Sequence, residues 1–96
     1  MNKTVDNIWK WRNWDISWSL SNNLLRNSET NILLIHGFGA SKHHWRNNQK
    51  FLGNYYNCYA IDLLGFGESS QPGATLDYEF PKDNEVKYCF DLWAHQ

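Results

Sequence analysis

The sequence predicts an α/β chain: a β-hairpin followed by a strand–helix–strand unit. Two observations carry that class. Residues 8–20 alternate between apolar and polar with a single change of parity. Two short, mostly apolar runs, Ile32 to Ile35 and Cys58 to Leu64, lead into glycine-bearing turns, with a helix-like stretch between them.

The hairpin comes first. Trp9 and Trp11 share one parity, and Trp14, Ile16, Trp18 and Leu20 share the other, with the switch at Arg12-Asn13. Strict alternation on both sides of a two-residue break marks two strands and a tight turn, and Asn13 tolerates the left-handed backbone such a turn needs. Ser21 to Asn31 reads as a polar loop around Leu24-Leu25.

Ile32 to Ile35 is an uninterrupted apolar run, as expected of a strand buried on both faces in a parallel sheet. After the turn Gly37-Phe38-Gly39-Ala40-Ser41, a helix is expected from about Lys42 to Leu52, with Ser41 as N-cap and Gly53 as its stop. Cys58 to Leu64 supplies the second strand and ends at Gly65-Phe66-Gly67, so residues 32–64 form one βαβ unit. Residues 68–87, with Pro72, Gly73 and Pro81, read as a long loop. Residues 88–96 begin a further helix through Tyr88, Phe90, Leu92 and Trp93.

Composition narrows the function. The 96 residues fill at most one domain, and 42% hydrophobic with 20% charged residues is globular rather than disordered. Lys plus Arg (9) nearly balances Asp plus Glu (10) for a net charge of -1, which gives no electrostatic pull towards nucleic acid or an anionic membrane. The longest apolar run falls far short of the roughly 20 residues that span a bilayer. The opening Met-Asn-Lys-Thr-Val-Asp lacks the apolar core of a signal peptide. Cys58 and Cys89 show neither disulfide-framework nor metal spacing, so the expected setting is soluble, reducing and cytoplasmic, with no metal and no cofactor.

The chemistry is concentrated where the first buried strand ends in His36-Gly37-Phe38-Gly39 and a helix follows. Acyl transfer develops negative charge on a carbonyl oxygen, and backbone N–H groups at a strand-to-helix turn can stabilise it without reorganising. Glycines let the chain turn sharply and let a substrate reach the backbone.

These residues resemble the oxyanion-hole segment of the α/β-hydrolase superfamily. So does Asp62-Leu-Leu-Gly65-Phe66-Gly67-Glu-Ser69, which is similar to the family's next strand-end turn. Trp45-Arg46, the early Trp9-Lys10-Trp11-Arg12 and Phe90 to Gln96 fit the same order, so the resemblance covers about residues 9–96. Within the superfamily the likeness is greatest to pheophytinase-like hydrolases of photosynthetic lineages, from which Asn13 departs by replacing Gly. The resemblance implies the N-terminal half of a hydrolase sheet, ending before the nucleophile strand. It implies that the Phe38 N–H is one oxyanion donor and that His36, Gly37 and Gly39 shape the loop. Trp45 is a candidate for the pocket floor or the core. Intact relatives are expected to cleave small-molecule esters with a Ser-His-acid triad. No Ser here lies in Gly-x-Ser-x-Gly, so the triad positions are expected beyond Gln96 and the chain alone is expected to be inactive. A half sheet leaves an open apolar edge, so the isolated chain is expected to be marginally stable, molten or oligomeric. The edge could also receive a complementary C-terminal chain that completes the enzyme.

Plainer readings stand beside these. Ser41 and Ser69 have no paired base in view. His43-His44 occupy adjacent positions that do not face one metal site. Trp9 and Trp11 alternating with Lys10 and Arg12 give an ordinary hairpin face rather than a stacking platform for nucleic acid. Cys58 in an apolar strand is expected to be inert. The sharpest rival is a dinucleotide-binding βαβ unit, with Gly37-x-Gly39 as its turn and Asp62 as the ribose acid. It lacks the third glycine, because position 42 is Lys.

Overall fold

The computed structural model describes residues 2–26, 28–74, 85–86 and 90–96. Strands β1 (Asn2–Trp11) and β2 (Trp14–Asn23) form the hairpin, in unbroken antiparallel register from Asn2 opposite Asn23 to Trp11 opposite Trp14. It is longer than the alternation over 8–20 suggests, because the polar residues outside that span still pair through their backbones. The left-handed residue of the turn is Arg12 (φ 57°) and not Asn13. A non-glycine residue pays about 1–2 kcal/mol for that conformation. The Arg12 guanidinium offsets part of it by lying 4.5 Å from the centre of the Trp11 ring.

Strands β3 (Asn31–Ile35) and β4 (Asn57–Ile61) are parallel neighbours, and β4 also pairs antiparallel with β2, giving the order β1-β2-β4-β3. The stretch between them is a 3₁₀ turn over Lys42–Trp45 followed by α1 (Arg46–Leu52). Ser41 caps its start, accepting the His43 N–H at 3.3 Å. Gly53 ends α1 with an ordinary φ of -65°. Its glycine is required by packing instead: a Cβ there would sit 2.4 Å from Ser21 Oγ and 2.8 Å from the Ser21 carbonyl.

The two faces of the sheet differ in an unexpected way. The serine face of β2 is the one that α1 covers: Ser17, Ser19 and Ser21 are all buried. Gln49 on α1 satisfies this layer, its Nε2 donating to Ser19 Oγ at 3.0 Å and to the Cys58 carbonyl at 3.1 Å. On the opposite face Trp11, Ile16 and Leu64 form a small apolar core, joined by Trp14, Ile61, Leu92 and Trp93. The last two come from α2 (Phe90–His95). Beyond that core the same face opens into a trough of about 570 Å³ lined by Ile8, Trp9, Trp18, Leu33, Tyr59 and Ile61.

β3 therefore departs from the expected burial on both faces. Leu33 and Ile35 are 56% and 55% exposed, because the 3₁₀ turn packs against β3 and no helix among the described residues covers the face that Leu33 and Ile35 occupy. In the region expected to be loop, Gly73–Ala74 (β5) and Glu85–Val86 (β6) pair in parallel. Residues 75–84 of that loop, and Tyr88 and Cys89 ahead of α2, lie outside the described residues.

Candidate functional site

The candidate site is the pair of loops at the carboxyl ends of β3 and β4, which parallel strands deliver side by side, apart from the trough on the sheet face. From β3 come His36, Gly37, Phe38 and Gly39. Gly39 has φ +79°, which only glycine adopts without cost, and the Ala40 N–H donates to the Gly37 carbonyl at 3.1 Å to close the turn. Within that turn the Phe38 N–H has no acceptor among the described residues. A backbone donor left open at a rigid strand end is what an oxyanion site requires.

His36 is buried and holds the two loops together. The Leu63 N–H donates to its Nε2 at 3.0 Å, and its Nδ1 lies 2.7 Å from the Gly37 carbonyl. One nitrogen accepts and the other donates, so the contacts select the Nδ1–H tautomer. Both ring nitrogens of His36 are thus engaged by backbone groups of the two loops. The Phe38 ring is 87% exposed and packs edge-on against Phe66 (5.4 Å between centroids, 76°) and Trp93 (6.4 Å, 71°). Phe66 also meets His36 edge-on at 5.4 Å. Trp93 is fixed by its Nε1 donating to the Leu64 carbonyl at 3.0 Å.

Beneath the loops lies a buried ionic cluster that the sequence did not disclose. The Lys42 ammonium donates to Ser17 Oγ (2.8 Å), Asp62 Oδ2 (3.1 Å) and Glu68 Oε1 (3.0 Å), so all three of its protons have acceptors. Asp62, fully buried, also accepts the Lys42 N–H on Oδ1 at 2.6 Å and the Glu68 N–H on Oδ2 at 2.9 Å. Burial is the largest single influence on Lys42 and pulls its pKa down. The hydrogen bonds to Glu68 and Asp62 and the charges of both acids together outweigh it, so the pKa is raised. Glu68, at the solvent rim, is held below the usual carboxylate range by the hydrogen bond from Lys42 and then by that from His43. In the sequence, Lys42 reads as the start of a helix and as the residue that stands where a third glycine would be. Its partners are 20 to 26 residues away, so no local signal distinguishes it from a solvated lysine.

The remaining candidates take structural places. Asp62 is fully buried with three donors on its carboxylate, so it offers no exposed oxygen to ribose hydroxyls, which counts against the dinucleotide reading. Ser69 is buried, donates to the Asp62 carbonyl at 2.6 Å and accepts the Ser17 N–H at 2.9 Å. Ser41 is a helix cap. Trp45 is half-buried against His44, with its Nε1 buried and without an acceptor among the described residues. His43 and His44 are exposed. Cys58 is fully buried, which pushes its thiol pKa up and away from reactivity.

A family model described as the alpha/beta hydrolase fold matches residues 30–92, and the chain belongs to that family. Among its relatives, the 2-hydroxy-6-oxo-6-(2'-aminophenyl)hexa-2,4-dienoic acid hydrolase of Metapseudomonas resinovorans is 36% identical over 64% of this chain and 21% of its own. The 1-acylglycerol-3-phosphate O-acyltransferase ABHD5 of Rattus norvegicus is 39% identical over 79% of this chain and 21% of its own. A solved structure of a bacterial membrane phospholipase A superposes with a TM-score of 0.63 at 33% identity, covering 72% of this chain and 21% of that one. The chain thus spans about a fifth of the length of these relatives, and its hairpin and βαβ unit are one part of an α/β-hydrolase sheet. Among the described residues no helix is long and apolar enough to cross a membrane.

Proposed function

We propose that these residues form the oxyanion side of an ester-hydrolase active site, with the Phe38 N–H as one of two donors to the developing alkoxide. The Ser nucleophile, its acid and its His base would come from sequence not contained in residues 1–96. The observation that carries the reading is the open Phe38 N–H at a turn fixed by His36 and Gly39, at the carboxyl end of a parallel strand pair. The relatives named as an O-acyltransferase and a phospholipase support acyl chemistry on a small molecule or lipid. The finer likeness to pheophytinase-like hydrolases belongs to this proposal too, resting on His36 to Ser41 and Asp62 to Ser69.

The test removes the donor and keeps the loop. In an active enzyme that contains these residues, Phe38→Pro deletes the N–H while Phe38→Ala deletes only the ring. Loss of one oxyanion donor costs about 10²–10³ in kcat. The proline variant is expected to show that loss with KM nearly unchanged, and the alanine variant is expected to keep kcat within about tenfold. Equal kcat in both variants would remove Phe38 from the mechanism.

A second reading is that the enzyme is completed by a separate chain. It rests on β3 standing at the edge of the sheet with Leu33 and Ile35 exposed, since an uncovered apolar strand is a template for another strand. Co-purification with a chain carrying a Gly-x-Ser-x-Gly strand would support it, and failure to bind such a chain would count against it.

A further inference from the structure

The geometry points to Lys42 as the positioning residue of the oxyanion loop: its ammonium ties the loop that carries the Phe38 N–H to β2, to the end of β4 and to the loop that carries Phe66. Four observations lead there. The Lys42 side chain is 1% exposed, although lysine is among the residues least often buried. Each ammonium proton meets an acceptor from a different segment: Ser17 on β2, Asp62 at the end of β4, Glu68 in the loop beyond. The backbone N–H of Lys42 joins the same Asp62 carboxylate, so side chain and main chain of one residue hold one anchor. Gly67 (φ +55°) brings its backbone so close that an added Cβ would lie 2.4 Å from Asp62 Cγ, so the carboxylate packs directly against that turn.

Lys42 follows Phe38 by four residues and lies in the 3₁₀ turn that continues its loop. A donor meant for a transition state must not be drawn away by a swinging loop, because its value lies in being oriented beforehand. The Phe38 N–H has no hydrogen bond of its own to hold it among the described residues. Its orientation depends on the Ala40 to Gly37 turn bond, on His36 on one side and on the Lys42 clamp on the other. Lys42 does not touch a substrate in this arrangement; it acts through the backbone.

The inference rests on the reading of Phe38 as a donor, but its test does not depend on any substrate. Backbone ¹⁵N order parameters of the folded protein that carries these residues would be measured for the wild type and for Lys42→Met, Glu68→Gln and Ser17→Ala. In the wild type, Phe38 and Gly39 are expected near the rigid value of about 0.85. In Lys42→Met they are expected to fall below about 0.6, while the hairpin amides of Trp9 and Trp18 hold theirs. Unchanged order at Phe38 in Lys42→Met would overturn the proposal. Should Lys42→Met loosen everywhere or fail to fold, the two milder variants decide. Selective loosening at Phe38 in either supports the clamp, and no change in both overturns it. If the clamp holds and Phe38→Pro leaves kcat intact, the donor reading of Phe38 fails while the ordering role of Lys42 in this loop stands.

Discussion

Gly67→Ala is the substitution whose cost the structure fixes most tightly. The residue sits at φ +55°, where a side chain costs about 1–2 kcal/mol in backbone strain. The new Cβ would also lie 2.4 Å from Asp62 Cγ and Oδ1 and 2.5 Å from Oδ2, distances no pair of atoms sustains. Asp62 must move, and moving it stretches its bonds to the Lys42 N–H, the Lys42 ammonium and the Glu68 N–H. Losing even one hydrogen bond to a charged group costs about 1.5–3 kcal/mol. The combined loss is about 2.5–5 kcal/mol, a large part of the roughly 5–15 kcal/mol that holds a small domain together. At about 4–8 °C per kcal/mol, the melting midpoint should fall by at least about 10 °C, or cooperative unfolding should disappear. Gly39→Ala separates the two causes. Its φ is +79° but an added Cβ meets nothing within 4 Å, so it should cost the strain alone. Gly37→Ala, with open space and no positive φ, should be nearly neutral. Thermal melts followed by tryptophan near-UV dichroism would rank the three. A Gly67→Ala midpoint within about 3 °C of Gly39→Ala would refute the crowding argument.

Further outcomes follow from the same cluster. Glu68 is held below its ordinary pKa, so its contribution is present above about 4.5 and is lost as pH falls through the lower, folded-state value; Glu68→Gln should flatten the acid limb of a stability-against-pH curve below about pH 5. Lys42 is raised above 10.5, so its contribution is complete below that value and is lost as pH climbs through the folded-state pKa. Ser69→Ala should cost about 1–3 kcal/mol by leaving the Ser17 N–H and the Asp62 carbonyl short of a partner. Hydrolysis of an activated ester by this chain, if it is abolished in Ser69→Ala, would contradict the structural role. Titration with NADH at micromolar concentration should show no saturable fluorescence change, because the Asp62 carboxylate is fully buried and bonded within the protein.

Local pattern made much of this fold readable. The parity switch at Arg12-Asn13 located the hairpin turn, and the run Ile32 to Ile35 with its glycine turn located β3. Ser41 and Gly53 bracketed the helical stretch. What stayed hidden depends on contacts between distant segments. Lys42 reads as a surface residue until Ser17, Asp62 and Glu68 are brought around it. The serines of β2 read as a solvent face until Gln49 lies over them. Gly53 reads as a helix stop, whereas the reason for it is the backbone of Ser21. The β5–β6 pairing involves two residues a side, too few to leave any periodicity. At the site, the sequence marked Gly37 to Ser41 as a turn, but not the cluster that packs beneath it.

The long hairpin carries a consequence for the order of assembly. Its ten paired positions close across a two-residue turn, so it can zip within about 1–10 μs without waiting for the rest of the chain. β4 joins β2 only after a loop of some 40 residues has closed, at a far greater entropic toll. The ion cluster needs that late docking, since Ser17 belongs to the early piece and Asp62 to the late one. In a refolding experiment, the Trp11–Trp14 ring contact at 6.2 Å should therefore report the fast phase. The Trp18–Tyr59 contact at 5.8 Å should report the slow one.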